Sequence, residues 1–563
     1  MGAAAQELLR AHPEIAFFLI LGLGYLLGKI ALGGFKVGAV TGTLLAGVLV
    51  GQLGVTLPNE VKQCFFLLFL FAIGFRTGPQ FFRGLRSDGL AHAALAAIVS
   101  TAGLAAAYAA SRVLGYDAGT AAGLVAGSLT ESAAIGTAMD AISKLDATEA
   151  QRAALANHIP VAFAVTYLLG TAASAWVLAQ LAPKLLGIDL ETECRKLEEE
   201  MQGDALQETA ARRDVELRAY AVDSGSQWAG RRIAELELAG TGERIFVERV
   251  RTRGRVRACD PRFALRAGDV VAVSARRTTL VDVLEQAGSG LREVDDKELL
   301  DVPADVVDVV VANAAIDGLT LAELAREDAA RGVFLKRILR GGQPLGVLPG
   351  QKVYRGDVLT IVGSAANVSR AVELLGVADR STDVTDMLAV AASIVAGALI
   401  GLPALRIGHV EVGLSLPVGV LFGGLVCGWL RSVRPRWFGR IPGPTLWVFE
   451  SIGLTGFVAV VGLNAGPDFV QGLATSGLSL VAAGMVTVVS ALVIGVLAGR
   501  WLFKLHPGVL LGVVAGGCTA TPALAAIQEV AKSTVPAMGY GVAYAVGNVL
   551  LALWGTVIVA LLA

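Results

Sequence analysis

Charge is what long stretches of this chain lack. Before about Ala182 and after about Met387 ionisable side chains are sparse, and between those points they are dense. With 54% hydrophobic residues over 563 positions and a mean hydropathy of +0.64, a soluble enzyme of average composition is excluded. The net charge of −1 hides this segregation and says little about partners; no nucleic-acid partner is expected. The five cysteines (Cys64, Cys194, Cys259, Cys427, Cys518) show neither CxxC nor Cys/His spacing, which leaves isolated reduced thiols and no metal site. HExxH, GxSxG, a P-loop and paired catalytic carboxylates are missing, so no catalytic residue, cofactor or enzyme activity is expected. A TVGYG-like ion filter is missing as well.

What is present is a set of apolar runs long enough to cross a hydrocarbon core. In the first half they cover 15–32, 37–53, 63–82, 90–111 and 156–182; in the second, 388–405, 412–430, 445–466, 478–502 and 537–562. The first run lacks a convincing cleavage site after it, so a retained span is expected. Richness in Ala, Gly and Arg resembles a bacterial high-GC coding bias.

The two flanks repeat each other. Gly74-Phe-Arg-Thr-Gly78-Pro79-Gln-Phe81 recurs as Gly462-Leu-Asn-Ala-Gly466-Pro467-Asp-Phe469. The glycine series Gly42, Gly47, Gly51 matches Gly419, Gly424, Gly428. Val125-Ala-Gly127-Ser128-Leu-Thr130-Glu131-Ser132 matches Val514-Ala-Gly516-Gly-Cys-Thr519-Ala-Thr521, and Val161-Ala-Phe-Ala-Val165 matches Val542-Ala-Tyr-Ala-Val546. Four stations in register make chance a poor explanation and point to a duplicated carrier-type unit.

Loop charge sets the orientation. Lys36, Arg83, Arg86, then Arg431, Arg434, Arg436, Arg440, Arg500 and Lys504 all fall on the cytoplasmic side if the N-terminus is outside and each half crosses five times. One element per half, 119–142 and 508–530, must then be broken or re-entrant. Six full crossings per half is the alternative, and it fits the first-half charges less well. The expected fold is therefore a polytopic α-helical membrane protein of two inverted repeats (1–182 and 384–563), about five spans plus a broken or re-entrant element each. Two small cytoplasmic α+β modules (205–290 and 303–378) are inserted between them. Both termini would lie outside a bacterial inner membrane.

The central block carries its own duplication. Gly230-Arg-Arg-Ile233-Ala-Glu235-Leu236 recurs as Gly318-Leu-Thr-Leu321-Ala-Glu323-Leu324, Val247–Val250 as Leu335–Ile338, and Gly268-Asp269 as Gly356-Asp357, each at the same displacement. Short alternating runs read as half-buried strands, with a helix beginning near Thr279. These modules are expected to regulate or to assemble a homodimer. An unidentified nucleotide or ion effector and a rigid scaffold both remain open.

Nine side chains are candidates for substrate contact: Arg76, Ser128, Thr130, Glu131, Ser132, Asn464, Thr519, Thr521 and Asn548. A guanidinium inside an apolar span costs at least roughly 2.5–3.5 kcal/mol unless it faces a cavity or partner. Arg76 is thus either a bidentate carboxylate clamp or a snorkelling interface residue, and the nearby anchor Arg83 favours the clamp. Short hydroxyls at a helix break suit carboxylate oxygens, though they also satisfy their own helix. Glu131 could pair with Arg76, carry a proton or coordinate a cation. Helix breaks are expected at Gly74, Gly78 and Pro79, at Gly462, Gly466 and Pro467, and at Pro522. His158 is expected to be a packed, hydrogen-bonded histidine.

Together the Gly74–Phe82 motif, the doubled membrane unit and the paired central modules resemble the aspartate:alanine exchanger family. The central pair resembles the C-terminal subdomains of potassium-conductance regulators (RCK or TrkA-C type). The resemblance implies a secondary transporter that exchanges an acidic amino acid or dicarboxylate such as aspartate for alanine or a related solute, moving net charge. The second resemblance implies an alternative, a cation or potassium transporter or channel gated by the central modules.

Overall fold

The computed structural model describes every residue except 1, 33–34, 86–88, 203–214, 239–244, 261, 277–279, 281–289, 302–303, 379–384, 408–409, 414 and 435–440. Arg86, Arg436, Arg440 and the helix start at Thr279 therefore lie outside the described residues. Two units are present: Met1–Lys196 with Arg340–Leu345 and Ser381–Ala563, and Leu197–Leu339 with Gly346–Arg380.

In the first unit the first half runs α1 (Pro13–Gly28), α2 (Ala39–Gly51), α3 (Asn59–Gly84), α4 (Leu90–Leu114), α5 (Ala118–Ser128), α6 (Ala133–Ser143) and α7 (Glu149–Trp176). The second runs α8 (Met387–Gly401), α9 (Leu416–Val433), α10 (Gly443–Trp501), α11 (Pro507–Gly517), α12 (Thr521–Ala531) and α13 (Val535–Leu562). Among the described residues, seven helical stretches are long and apolar enough to cross a membrane, and α1, α2 and α8 are shorter apolar helices in the places of the other spans. The expected spans 445–466 and 478–502 both fall within α10 as two stretches, Gly443–Gly466 and Gly477–Trp501, that run in opposite directions: Gly462 and Gly466 meet Gly47 and Gly51 of α2 in order, whereas the second stretch runs back along α4, with Ser479 at Tyr116 and Gly499 at Leu95. A further matched station, unseen in the sequence, is a small antiparallel hairpin between the first two helices of each half. Ala31 pairs with Lys36 in one, and Ala404 with Gly413 in the other.

The Gly-Pro motifs do not break their helices. α3 runs through Gly74, Gly78 and Pro79, and α10 runs through Gly462, Gly466 and Pro467. The glycines serve close approach instead. A Cβ on Gly74 or Gly78 would strike the Leu421 or Leu425 carbonyl of α9, and one on Gly462 would strike the Leu44 carbonyl of α2. Proline removes one helical N–H, leaving the carbonyl four residues upstream without its donor. Those carbonyls, on Phe75 and Leu463, lie against Gly428 and Gly51, where no side chain intervenes. So Gly47 and Gly51 pack on the Gly-Pro helix of the second half, and Gly424 and Gly428 on that of the first, while Gly42 and Gly419 pack on α1 and α8 of their own halves.

The true breaks lie at Leu129–Ser132 and Cys518–Ala520. At each break one threonine takes a left-handed conformation, Thr130 at φ 57° and Thr519 at φ 52°. That backbone is unfavourable for a β-branched residue. Reciprocal hydrogen bonds hold it: Thr130 Oγ1 donates to the Cys518 carbonyl at 2.9 Å, and Thr519 Oγ1 to the Leu129 carbonyl at 3.3 Å. Pro522 stands in the first turn of the helix after the second break.

Each broken element turns back on itself. Along α5, Gly119, Gly123 and Gly127 meet Leu155, Ile159 and Phe163 of α7 in that order, so α5 and α7 run parallel. Asp117 before α5 also lies 2.9 Å from His158 Nδ1. The chain must therefore return along α6 to the side it entered before α7 begins. In the second half Gly508, Gly512 and Gly516 meet Val535, Pro536 and Tyr540 in the same order. Each half thus makes five crossings plus a re-entrant pair, and an odd number of crossings inverts the second repeat relative to the first.

The stretch 215–378 contains two sheets of one design. Strands β1 (Val215–Val222), β2 (Phe246–Thr252), β3 (Arg255–Ala258), β4 (Val270–Arg276) and β5 (Leu291–Val294) are ordered β3-β2-β4-β1-β5. Strands β6 (Ala304–Val311), β7 (Val333–Arg340), β8 (Gln343–Leu345), β9 (Val358–Ser364) and β10 (Gly376–Ala378) are ordered β8-β7-β9-β6-β10, the same arrangement. The repeated Gly-Asp is a turn device. The Asp269 and Asp357 carboxylates accept the N–H of Arg266 and Tyr354, both at 2.9 Å. Between the modules Arg331 grips Glu237 with two 2.6 Å bonds, Phe246 meets Phe334 edge-on at 5.5 Å, and Asn367 donates to Glu248 at 3.2 Å.

Candidate functional site

Where the two breaks touch, a cavity of about 450 Å³ opens within the membrane unit. Three of its walls follow from helical spacing. On α10, Trp447, Glu450, Ser451, Leu454 and Thr455 recur at three- and four-residue intervals and present one stripe to it. On α3, Phe69 and Ile73 form a second stripe, with Arg76 one turn further along the same face. Tyr544 and Asn548 of α13 stand one turn apart and form the third. Thr130, Glu131, Ser132 and Thr519 arrive from the breaks, and Tyr167 from α7.

Five of the nine expected contacts line this cavity: Thr130, Glu131, Ser132, Thr519 and Asn548. Glu131 is 3% exposed and accepts the Ala133 N–H at 3.0 Å, so it caps the N-terminus of α6. Asn548 donates to the Tyr544 carbonyl at 2.7 Å. The other four stand apart from the lining. Ser128 is fully buried behind the break, and its Oγ has no hydrogen-bond partner among the described residues. Thr521 shares a 2.9 Å hydrogen bond with the Tyr540 hydroxyl. Asn464 braces the loop before α3: its Oδ1 accepts the Leu57 N–H at 3.4 Å and its Nδ2 reaches the Leu57 carbonyl at 3.5 Å. Arg76 turns its guanidinium to Glu450, with Nη1 2.8 Å from Oε2.

Glu450 is the residue that reading the sequence missed. It is the one charged side chain within 445–466, which was the available signal. Its Oε1 is buried with no hydrogen-bond partner among the described residues. The wall therefore carries two carboxylates and no cationic side chain, with Arg76 engaging one of them from beside it. The aromatic lining of Tyr25, Tyr167, Trp447 and Tyr544 was also missed. Tyr and Trp in a membrane chain read first as interfacial anchors. The lining is repeat-derived yet chemically unequal: on the fourth matched station Tyr167 occupies the place of Asn548, and on the third Glu131 occupies that of Ala520. Such a space suits a small solute with polar groups at one end and apolar or aromatic packing elsewhere. Among the described residues no group of three or more His, Cys, Asp or Glu is placed to hold a metal ion.

The membrane halves, residues 16–183 and 389–560, match the family described as Predicted Permease Membrane Region, the aspartate-alanine exchanger permease region. Residues 306–376 match the TrkA-C domain, which covers the second central module. The chain is 41% identical over 556 residues to a protein of Shewanella oneidensis, spanning 98% of this chain and 99% of that one. It is 40% identical over 515 residues to one of Bradyrhizobium diazoefficiens, spanning 91% and 99%. A Bordetella parapertussis protein is 40% identical over 569 residues, spanning 99% and 98%. All three bear the printed name uncharacterized transporter. No solved structure matches. The chain belongs to the aspartate-alanine exchanger permease family of membrane transporters, with a TrkA-C domain between its two membrane repeats.

Proposed function

We propose that the protein is a secondary carrier that exchanges an acidic amino acid or related dicarboxylate, with aspartate as the type substrate, for alanine or a similar solute. The observation that carries this reading is the cavity at which both re-entrant elements meet. A site built at the junction of two inverted repeats can be exposed to either side by rocking one repeat against the other. The Ser132 hydroxyl and the second Nδ2 hydrogen of Asn548 offer donors for carboxylate oxygens. Aspartate carries a net −1 and alanine none, so one-for-one exchange moves charge and generates a membrane potential. On the loop charges, the central modules and their TrkA-C domain stand in the cytoplasm of a bacterial inner membrane, both termini outside. The modules bind an effector or join two chains as a homodimer.

Purified protein in liposomes loaded with alanine, and given labelled aspartate outside, tests this reading. Uptake that depends on internal alanine or aspartate and responds to an imposed potential supports it, and uptake indifferent to the internal solute refutes exchange. A second reading, a cation pathway gated by the modules, draws on the TrkA-C match and on the two carboxylates of the lining. Steady single-channel current in planar bilayers would favour it over a carrier.

A further inference from the structure

Resting on the carrier reading, we infer that Phe66 is a gate: its ring plugs the cavity toward the N-terminal end of α3, and Gly136 of α6 is the notch that seats it. The cavity has two ends. At one, the wall reaches Ala39 and Trp447, near the starts of α2 and α10, and Trp447 is 58% exposed. At the other, three elements continue past their last lining residues into a shared block of carbon. Beyond Phe69 on α3 comes Phe66, beyond Leu454 and Thr455 on α10 comes Phe457, and beyond Ser132 comes Gly136. Phe66 and Phe457 are both 1% exposed, and their rings stack with centroids 4.6 Å apart. The edge of the Phe66 ring fills the space that a Cβ on Gly136 would need. Charge returns one turn further along the same face, at the half-buried Lys62. Phe69 and Lys62 are seven residues apart, about 10 Å of helix within roughly 30 Å of hydrocarbon. A single layer of rings therefore closes this end, and on the loop charges it faces outside.

The plug stands where the structure can part. On its own side, α3 and the first stretch of α10 touch through backbone: a Cβ on Gly453 would lie 2.9 Å from both the Phe65 carbonyl oxygen and the Phe69 nitrogen. Phe66 and Phe457 therefore move as one. On the far side α6 is tied to α13, where Thr137 Oγ1 donates to the Ala552 carbonyl at 2.7 Å and Gly555 packs on the Ala134 carbonyl. The break before α6 is tied to the second re-entrant pair by Thr130, whose Oγ1 donates to the Cys518 carbonyl at 2.9 Å. Across the seam the contacts are made by side-chain tips: the Phe66 ring on Gly136 and, one turn outward, Lys62 Nζ 4.0 Å from Met139 Sδ. Such contacts open without breaking a backbone hydrogen bond. A ring edge held against bare backbone also seals, since an apolar constriction excludes water and ions while it is closed. Glycine is needed at 136 because the ring and a methyl group cannot share that space. Alternating access then requires Phe66 to leave its notch whenever the cavity turns outward.

Labelling from the two sides tests the gate without a substrate. Ser132→Cys places a thiol in the cavity wall, and a membrane-impermeant maleimide is applied to intact spheroplasts or to inside-out vesicles carrying the full chain. Modification at position 132 is read by peptide mass spectrometry, so the native cysteines do not interfere. The thiol is expected to react at least ~10-fold faster from the cytoplasmic side, as a gate closed most of the time requires. Phe66→Ala and Gly136→Ala, each combined with the reporter, are expected to raise the outer rate by roughly 10-fold or more. Their cytoplasmic rates should stay close to that of the reporter alone, which also shows that the variants fold. Phe66→Leu in the Gly136→Ala chain shortens the plug to match the filled notch and is expected to restore the asymmetry. Equal labelling from both sides with Phe66 and Gly136 intact, or faster labelling from outside, overturns the inference with no gate variant needing to fold. An outer rate unchanged in Phe66→Ala overturns it too. Because no solute is involved, failure of the liposome exchange assay overturns the carrier reading, and the labelling decides the gate separately.

Discussion

Placing one methyl group on Gly424 tests whether the doubled glycine motifs close the helix crossings. An ideal Cβ there would stand 2.5 Å from the Phe71 carbonyl oxygen, 3.1 Å from the Gly74 Cα and 3.1 Å from the Phe75 nitrogen. All three are backbone atoms of α3, so no side chain can move aside. Restoring a contact of about 3.5 Å requires α9 and α3 to separate by up to ~1 Å, a gap that forfeits a quarter to a half of each dispersion contact along the seam. Overpacking of this kind costs about 1–3 kcal/mol. The equivalent change at Gly462 would meet the Leu44 carbonyl at 2.5 Å and the Gly47 Cα at 3.3 Å, and should cost a similar amount. Gly22 of α1 is the control, with nothing within 4 Å of its ideal Cβ. There alanine should be neutral or stabilise by up to ~1 kcal/mol, because it fixes the helix better than glycine. Thermal unfolding in detergent, scored by monodispersity as well as by midpoint, reads the ordering Gly22→Ala above wild type above Gly424→Ala and Gly462→Ala. If the two crossing variants melt with Gly22→Ala, the close-approach account of the motif is wrong.

At the breaks, Thr130→Ala and Thr519→Ala each remove a hydroxyl that spans the two repeats, at about 1–2 kcal/mol apiece. Because the bonds are reciprocal, a double-mutant cycle on melting free energies should show coupling, and strict additivity would contradict the arrangement. In the central unit, burial pushes the Glu248 carboxyl above its ordinary value of 4.5, with the Ser274 hydroxyl bond opposing. A folded-state value above the unfolded one means that the stabilising contribution is present at low pH and lost as pH rises through the raised value. Glu248→Gln should flatten that loss, seen as slower hydrogen exchange in peptides covering Phe246–Thr252 at pH 8, after correction for intrinsic rates, and little change at pH 4. Arg331→Ala strips both 2.6 Å bonds from Glu237, which is 8% exposed at its side chain, and should cost about 3 kcal/mol by leaving that carboxylate unpaired. Limited proteolysis of the full chain should then cut between the modules faster, and wild-type cleavage rates would count against the clamp.

Much of this architecture was legible from residue spacing because a duplicated sequence marks its own contact surfaces. Small residues at four-residue intervals identify helix faces that must come close, and loop cations give the parity of crossings. What spacing could not distinguish is the purpose of a glycine. Gly74 and Gly462 looked like breaks because glycine and proline end helices in water, yet inside a membrane the same pair allows two backbones to touch. The actual breaks sit at Thr130 and Thr519, among hydroxyl residues that the sequence had already grouped as polar walls. Five residues of the cavity wall were therefore readable. Glu450 and the aromatic wall were not, because their importance depends on which faces of α10, α7 and α13 meet, and a single sequence does not record that. Arg76 stood out in the sequence as a cation within an apolar run; its 2.8 Å partner needed coordinates.

The exchanged crossings also govern the order of assembly. Gly428 leaves the ribosome about 350 residues after Gly78, with the whole central unit between them. At 5–20 residues per second that is a wait of about 20–70 s. Throughout that time the groove on α3 has no counterpart, and lipid must fill it. A single repeat in isolation has the same shortage, since it owns one side of each seam and cannot close either on itself. Two separate copies lying in opposite directions would supply both sides to each other, so the present chain reads as a dimer whose subunits have been tied together.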